Sequence, residues 1–337
     1  MSPAVIPVDI PESEPMKKFL DFHKTYYHPS NSYIYLYGNM DMAEKLTWLD
    51  EEYLSHYEER QVDSRIREQK AFEAPVEREF SYSITEGESE EDATYLSINT
   101  VVGDDLDPKL YVAFQILEYT LLDAPGAPLK QALIDAGIGK DILGWLESGI
   151  LQPYFSVIAK DANKEQKGEF LAIVKGTLRK LADQGINRKS LLAGMNYFEF
   201  KYREADYGSA PKGLMYGLQC LDSWLYGRRS DDSSSAIRKP LISSKKEVEN
   251  GYFEQLIRDY LLDNPFEAVI VVAPEKNLTA KEDEKLAKKL ADYKASLSEE
   301  AAGGAGRCNG ELKEYQDTPF HSGDSGKDPA LKTGRHR

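Results

Sequence analysis

Five short runs rich in β-branched and aromatic residues constrain the fold of this chain more than any other feature. They are REFSYSI at 78–84, ATYLSINTVV at 93–102, DILGWLES at 141–148, LQPYFSVIAK at 151–160 and EAVIVVAP at 267–274. Short connections join the first two runs and the next two, which favours antiparallel strands. Stretches with apolar residues at helical spacing follow each pair. We therefore predict an α+β domain, with helices packed on one face of a mostly antiparallel sheet.

Capping residues mark the ends of the predicted helices. Asp107 with Pro108 is expected to open one helix, and Asn163 and Asn187 are expected to cap two more. Thr279 with Glu282 is expected to start a final charged helix. Residues 301–337 contain few large apolar side chains, so we expect them to be disordered.

The stretch FHKTYYHPSNSYIYLYGNMD, residues 22–41, combines aromatic residues with two of the five histidines. Its first part continues a short amphipathic helix, which Pro29 ends. Tyr33–Tyr37 is predicted to be a β-strand, and Asp41 is expected to cap the next helix. His23 and His28 lie five residues apart and do not share a helical face, so they lack the spacing of a zinc-binding helix.

The sequence contains no recognisable catalytic pattern. Neither H-E-x-x-H nor H-x-x-E-H occurs, and G-x-S-x-G and the P-loop are also absent. Cys220 lies on an apolar helical stripe, which predicts a core position rather than a reactive thiol. The residues alone therefore predict a folded domain without a visible catalytic site.

Charge and composition restrict the partners. The formal net charge of -15 argues against a nucleic-acid partner and favours a neutral or basic one. No apolar run is long enough to span a bilayer, and the first residues lack the order of a signal peptide. Two cysteines give no disulfide framework. We therefore expect a cytoplasmic protein without a membrane partner.

Residues 22–41 resemble a tract of the pitrilysin/insulinase-type zinc metallopeptidases, with presequence protease as the most similar branch. Further blocks follow in the order of that family: LLDAPGAPLKQALIDAGIG, LQPYFSVIAKDANKE, MNYFEFKYREADYGSAPKGL and QDTP. The likeness extends from about residue 19 to residue 319. In this family, two halves of two α+β domains each enclose a peptide substrate, and the zinc motif lies in the first domain.

The resemblance implies a domain organisation. Residues 1–62 would be the end of a catalytic-type domain, and 63–278 a complete non-catalytic domain. Residues 279–300 would begin the helical hairpin that joins the halves. The zinc of the full-length family is bound by residues absent from this chain, so we expect no cofactor and no activity from it alone. Tyr33–Tyr37 would then belong to a sheet whose other strands are missing.

The resemblance also implies a substrate-binding site. In insulinase-type enzymes the inert second domain anchors the substrate by adding a strand to a sheet edge. The matching residues here are Asp123, Ala124, Pro125, Gly126, Ala127, Pro128, Leu129, Leu143, Gly144 and Trp145. A loop with prolines and a glycine is stiff yet admits a close backbone, and Gly144 permits the same approach within a strand. The alternative is an ordinary loop between helices beside a core strand.

Two interpretations of function remain open at the level of sequence. The chain is either the non-catalytic, substrate-chamber part of a zinc endopeptidase that degrades unstructured peptides, or an inert binding subunit that works with a separate zinc-bearing chain. The expected ligands are unstructured peptides, and the acidity of the chain favours basic ones. A new enzyme built on Cys220 or the N-terminal histidines is a third, less supported interpretation.

Overall fold

The predicted strand runs form a single sheet. The strands are β1 (Val76–Ile84), β2 (Thr94–Val101), β3 (Asp141–Glu147), β4 (Tyr154–Ala162) and β5 (Glu267–Lys276), in the order β1-β5-β2-β4-β3. β2 is antiparallel to β4 and β5, and β3 is antiparallel to β4. This computed structural model describes residues 14–104, 107–204, 207–226 and 247–317. The prediction of a mostly antiparallel sheet is confirmed.

The helices begin and end near the predicted caps. They are α1 (Glu14–Tyr26), α2 (Met42–Glu52), α3 (Pro108–Glu118), α4 (Pro128–Asp135), α5 (Lys167–Gln184), α6 (Arg188–Glu204), α7 (Lys212–Trp224), α8 (Tyr252–Leu256), α9 (Leu278–Ser296) and α10 (Glu299–Asp317). π-Helical turns follow α3, at Tyr119–Asp123, and α8, at Ile257–Leu262. Asp107 caps α3 by accepting the Lys109 and Leu110 N–H groups at 2.9 and 3.1 Å.

One face of the sheet carries the core. Successive residues of a strand point to opposite sides, and one alternating set is buried. It contains Leu96, Ile98, Phe155, Val157, Val269 and Val271. Phe114 of α3, Phe170 of α5 and Met195 of α6 belong to the same cluster. Burying each of these large side chains contributes about 1.5–3 kcal/mol, so this face holds the helices on the sheet.

The chain divides into two compact units. One contains the described residues of Met1–Ser81 and Ser89–Pro274, and the other those of Tyr82–Glu88 and Glu275–Arg337. Residues on both sides of the expected boundary at 62 lie in the first unit. Within the second unit, the Asn277 N–H donates to the Ile84 carbonyl at 2.9 Å. The assignment of residues 1–62 to a preceding catalytic-type domain stays a prediction.

Tyr33–Tyr37 does not form the predicted strand. Residues 32–37 have no regular secondary structure, and their rings pack on α7 instead. Gly213 and Gly217 of α7 make room for them, because a Cβ on Gly217 would lie 2.8 Å from the Tyr35 ring. The Tyr33 hydroxyl donates to the Trp224 carbonyl at 3.2 Å. A β-prone sequence needs a partner strand, and no strand in the described ranges pairs with this one.

The expected disorder after residue 300 is wrong as far as Asp317. Helix α10 covers Glu299–Asp317, whereas residues 318–337 lie outside the described part of the chain. The expected cap of α9 is also displaced. The helix begins after Asn277, which adopts a left-handed conformation with φ of 58°, rather than at Thr279.

Candidate functional site

Strand β3 lies at one edge of the sheet. It pairs with β4 through Asp141↔Lys160 to Glu147↔Tyr154, and it ends the strand order. The Ile142 N–H donates to its neighbour, the Asp141 carboxylate, at 2.8 Å and so points away from β4. Backbone groups two residues apart point the same way, so Gly144 and Leu146 direct theirs to the free edge. This edge has the backbone geometry that accepts another strand.

The predicted site residues of β3 lie on opposite faces. Leu143 and Trp145 project from the face opposite the core and are 40% and 56% exposed. Gly144 faces the helices. A Cβ placed there would lie 2.7 Å from Leu122 Cδ1 and 2.8 Å from Glu118 Oε1. The missing side chain therefore lets α3 and its π-turn approach the edge strand closely.

The predicted loop Asp123–Leu129 lies between the π-turn and α4, and both of these elements pack on β3. Asp123, Pro125 and Gly126 are exposed, and Gly126 has a φ of 71°. Ala127 and Leu129 are buried in the core. Ala124 and Pro128 are half-buried. The loop and the edge strand are thus neighbours, but only part of the loop is accessible to a ligand.

A carboxyl pair lies beside Gly144. Burial, followed by the charge and hydrogen bond of Asp123, raises the pKa of Glu118 to about 7, while Lys201 lowers it. The π-turn brings the two carboxyl groups together: the Ala124 N–H donates to the Tyr119 carbonyl at 2.7 Å, an i to i+5 bond. The Glu118 carboxyl group therefore keeps its proton to near neutral pH.

A second acidic site follows the end of β3. The Trp145 indole N–H donates to Glu147 Oε2 at 3.3 Å, and the Gly149 N–H donates to Glu147 Oε1 at 3.4 Å. Burial, followed by the charge of Glu147, raises the pKa of Asp222 to about 6. Acidic groups thus flank both the middle and the end of the edge strand, which favours cationic ligands.

Sequence reasoning did not identify Glu118, Glu147 and Asp222. Glu118 and Asp123 are five residues apart, a spacing that an ordinary α-helix does not bring together. Glu147 and Asp222 are distant in sequence and meet only in the fold. The π-turn had no recognisable sequence signal, and the acidic site beside Gly144 depends on it.

The histidines of residues 22–41 make local contacts. His23 stacks on Tyr27 with ring centroids 4.6 Å apart, and His28 Nδ1 accepts the Ser30 N–H at 3.2 Å. Within the described ranges, no three His, Cys, Asp or Glu side chains are placed to hold a metal ion. Likewise, no described helix combines the length and apolar character needed to cross a membrane.

Comparison with known proteins identifies the family. The sequence profile described as peptidase M16 inactive domain matches residues 15–196. The chain therefore belongs to the M16 peptidase family, through its inactive domain. The matched range crosses residue 62 and includes the loop and the edge strand described above.

Two curated relatives support this assignment. The chain is 40% identical over 319 residues to protein HypA of Clostridium perfringens, covering 94% of this chain and 32% of the relative. It is 30% identical over 323 residues to presequence protease 1, chloroplastic/mitochondrial, of Arabidopsis thaliana, covering 93% and 29%. The chain thus spans about a third of the length of the curated relatives it matches.

Solved structures share the fold. A protease from Helicobacter pylori superposes with a TM-score of 0.58 at 15% identity, covering 77% of this chain and 59% of that one. Pitrilysin superposes with a TM-score of 0.50 at 12% identity, covering 77% and 26%. The α+β fold predicted from the sequence is that of M16 peptidases.

Proposed function

We propose that this chain is a non-catalytic, peptide-binding part of a presequence protease-like zinc endopeptidase, and that it binds extended basic peptides along β3. The observation that carries the proposal is the edge position of β3, where the backbone N–H and carbonyl groups of Gly144 and Leu146 point to the free edge. A peptide added at this edge would form main-chain hydrogen bonds, which give an affinity that tolerates many peptide sequences. Such tolerance suits an enzyme that degrades unstructured peptides.

The charges beside the edge support a basic ligand. Glu118 with Asp123 lies next to Gly144, and Glu147 with Asp222 lies at the end of the strand. A lysine or arginine on the bound peptide would neutralise a carboxylate at either place. The formal charge of -15 on the whole chain acts in the same direction by attracting cations over longer distances.

Catalysis belongs, in this proposal, to peptidase domains not contained in this sequence. They are supplied either by the same polypeptide in its full-length form or by a separate zinc-bearing subunit. The coverage of the relatives supports the first source, since the matched region is about a third of each of them. A pull-down from the native host, read by mass spectrometry, distinguishes a longer form of this chain from a separate zinc-bearing partner.

The test of strand addition modifies the peptide instead of the protein. Gly144→Pro is a poor test, because its Cβ would clash with Leu122 and a loss of binding would follow from misfolding. We would titrate the chain with an unstructured lysine-rich peptide and with two N-methylated versions. One carries N-methyl groups on odd residues and the other on even residues. In an added strand, only alternate peptide N–H groups face β3, so only one of the two methylation patterns blocks hydrogen bonds to it.

The expected result is a difference between the two methylated peptides. One should bind at least about tenfold more weakly than the unmodified peptide, and the other should bind nearly as well. A glutamate-rich peptide of the same length is the charge control and should not bind. Equal affinity of both methylated peptides, or no binding of the lysine-rich peptide at millimolar concentration, would contradict the proposal.

A further inference from the structure

A wide groove lies on the face of the sheet opposite the helices. It has a volume of about 860 Å³ and is bounded on one side by residues 66–72, which connect α2 to β1. Its apolar lining includes Ile66, Phe72, Val101, Ile150, Phe266 and Ile270. Among the described lining residues only Arg67 is charged, and it is largely exposed near Asp63. A pocket of this size and character is typical of a site for an apolar group.

The polar side chain on the floor of the groove is already hydrogen-bonded and does not need a polar ligand. Asn99, on the middle strand β2, lines the groove and donates to Ser97 Oγ at 3.0 Å and to the Ala268 carbonyl at 3.2 Å. Its own oxygen accepts the Ser156 hydroxyl at 2.6 Å. Because the Asn99 amide is already hydrogen-bonded within the sheet, an apolar group can cover it without leaving it unsatisfied.

The wall of the groove is held in place. The Gln69 N–H donates to Gln152 Oε1 at 2.8 Å, and Gln152 Nε2 donates to the Gln69 carbonyl at 3.0 Å. The Gln152 side chain thus forms two hydrogen bonds with the Gln69 backbone, as the backbone of a neighbouring strand would. Phe72 adds an edge-on contact with Phe266, with ring centroids 4.9 Å apart. The groove is therefore formed before any ligand arrives, which lowers the entropic cost of binding.

The groove is continuous with the edge strand. Trp145 lies opposite Ser156 in the sheet register, Ser156 lies opposite Asn99, and Asn99 lies opposite Ala268. These residues form one row across the face opposite the helices, from the free edge to the groove floor. Ile150 and Gln152, from the connection that follows β3, also line the groove. A peptide that leaves the end of β3 therefore meets the groove on the same face.

We infer that the groove takes one large apolar side chain, aromatic or branched aliphatic, of the same peptide whose backbone is added to β3. This inference rests on the proposed function and deepens it, because it specifies the ligand. The ligand is an extended peptide that combines basic residues, facing the carboxyl groups beside β3, with an apolar anchor beyond the strand-forming segment. The carboxyl groups would select basic residues of the peptide, and the groove would select an apolar residue of the same peptide.

The test is a series of lysine-rich peptides that differ only in the position of a single phenylalanine. Binding of each to the full chain is measured by calorimetry, with the all-polar parent as reference. One or two adjacent positions should bind about tenfold to a hundredfold more tightly than the parent, as burial of one large apolar side chain predicts. A flat series, with N-methyl-sensitive binding of the parent, would overturn the inference while leaving the proposed function standing.

A variant that fills the groove gives the matched test on the protein. Ser97 lies on the groove floor within β2, where a phenylalanine suits a strand and projects into the groove. Ser97→Phe should abolish the additional affinity that the phenylalanine gives the peptide, while the affinity for the all-polar parent peptide should stay unchanged. Ser97→Ala removes only the hydroxyl bonded to Asn99 and should keep both.

Three results of these peptide and Ser97-variant measurements would overturn the inference. The first is an unchanged phenylalanine gain in a folded Ser97→Phe variant. The second is an effect of Ser97→Phe on self-association of the chain without any effect on peptide binding, which would assign the groove to a second copy. The third is failure of every peptide to bind the wild type, which would overturn the proposed function as well.

Discussion

At the scale of single residues, Glu118 is the group whose ionisation matters most for stability. Its proton is stabilised by burial next to a second carboxyl group, so the folded protein holds it at a pH where the unfolded chain has released it. The folded state then binds more protons than the unfolded state between the ordinary glutamate pKa of 4.5 and about 7. Stability must fall as the pH rises through this window.

The first prediction follows from this sign. Glu118→Gln keeps a neutral hydrogen-bonding group and removes the ionisation, so it should raise the melting temperature at pH 8 more than at pH 5. Thermal unfolding followed by circular dichroism at both pH values measures the difference. Glu51→Gln, at an exposed position on α2, is the control and should show no such dependence. An equal shift of Glu118→Gln at both pH values would contradict the assignment.

A second prediction concerns peptide affinity. As the pH rises through about 6 to 7, Asp222 and Glu118 ionise and the edge of β3 gains negative charge. A lysine-rich peptide should therefore bind more tightly at pH 8 than at pH 5.5, and added salt should weaken the binding. Asp222→Asn should reduce the pH dependence, measured by calorimetry. Affinity that is independent of pH in the wild type would argue against these carboxyl groups as ligand contacts.

The third prediction concerns Gly217 of α7. A Cβ there would overlap the Tyr35 ring, so Gly217→Ala should displace residues 32–37 despite the better helix propensity of alanine. The near-ultraviolet circular dichroism of the tyrosines should change and the protein should be less stable. Gly176→Ala on α5 meets no atom within 4 Å and should stabilise by about 0.5–1 kcal/mol. Equal effects of the two substitutions would refute the packing described here.

At the scale of elements, α10 shows where composition misleads. The segment AAGGAGRCNG suggested disorder, yet it lies inside the helix Glu299–Asp317. Glycine costs about 1 kcal/mol relative to alanine in a helix, which weakens a helix without forbidding it. Intrinsic propensity predicts structure only weakly when neighbouring residues favour the helix, and here the segment ELKEYQD at 311–317 is rich in helix formers.

The fourth prediction tests this helix. Cβ atoms placed on Gly303, Gly304 and Gly306 meet nothing within 4 Å, so alanine is tolerated at each position. The triple alanine variant should stabilise α10 by about 2–3 kcal/mol and increase the helical signal in far-ultraviolet circular dichroism. Gly87→Ala, in the turn between β1 and β2, is the control and should leave the helical signal unchanged. An unchanged signal in the triple variant would show that the segment is not helical.

At the scale of the whole molecule, the N-terminal helices leave apolar side chains exposed. Phe19 and Phe22 of α1 are 65% and 56% exposed, and Leu46 and Trp48 of α2 are also exposed. Patches of this kind mark interaction surfaces. In the proposed function they would contact the missing peptidase domains or a separate zinc-bearing subunit.

The fifth prediction is that the isolated chain self-associates through this surface. Sedimentation velocity should show concentration-dependent association that the pair Phe19→Glu and Phe22→Glu reduces. Phe200→Glu on α6 introduces a charge at an equally exposed phenylalanine and should have less effect. A monodisperse wild-type monomer at high concentration would contradict the prediction.

The sequence by itself determined the features that depend on neighbours along the chain. Apolar periodicity predicted the five strands of the sheet, capping residues predicted most of the helix starts, and several ordered blocks indicated the family. Only the tertiary structure decided that β3 lies at the sheet edge, that Glu118 is buried beside Asp123, and that Tyr33–Tyr37 packs on a helix. Strand order and shared environments depend on contacts between distant residues, and local propensity carries no information about which distant residues will meet.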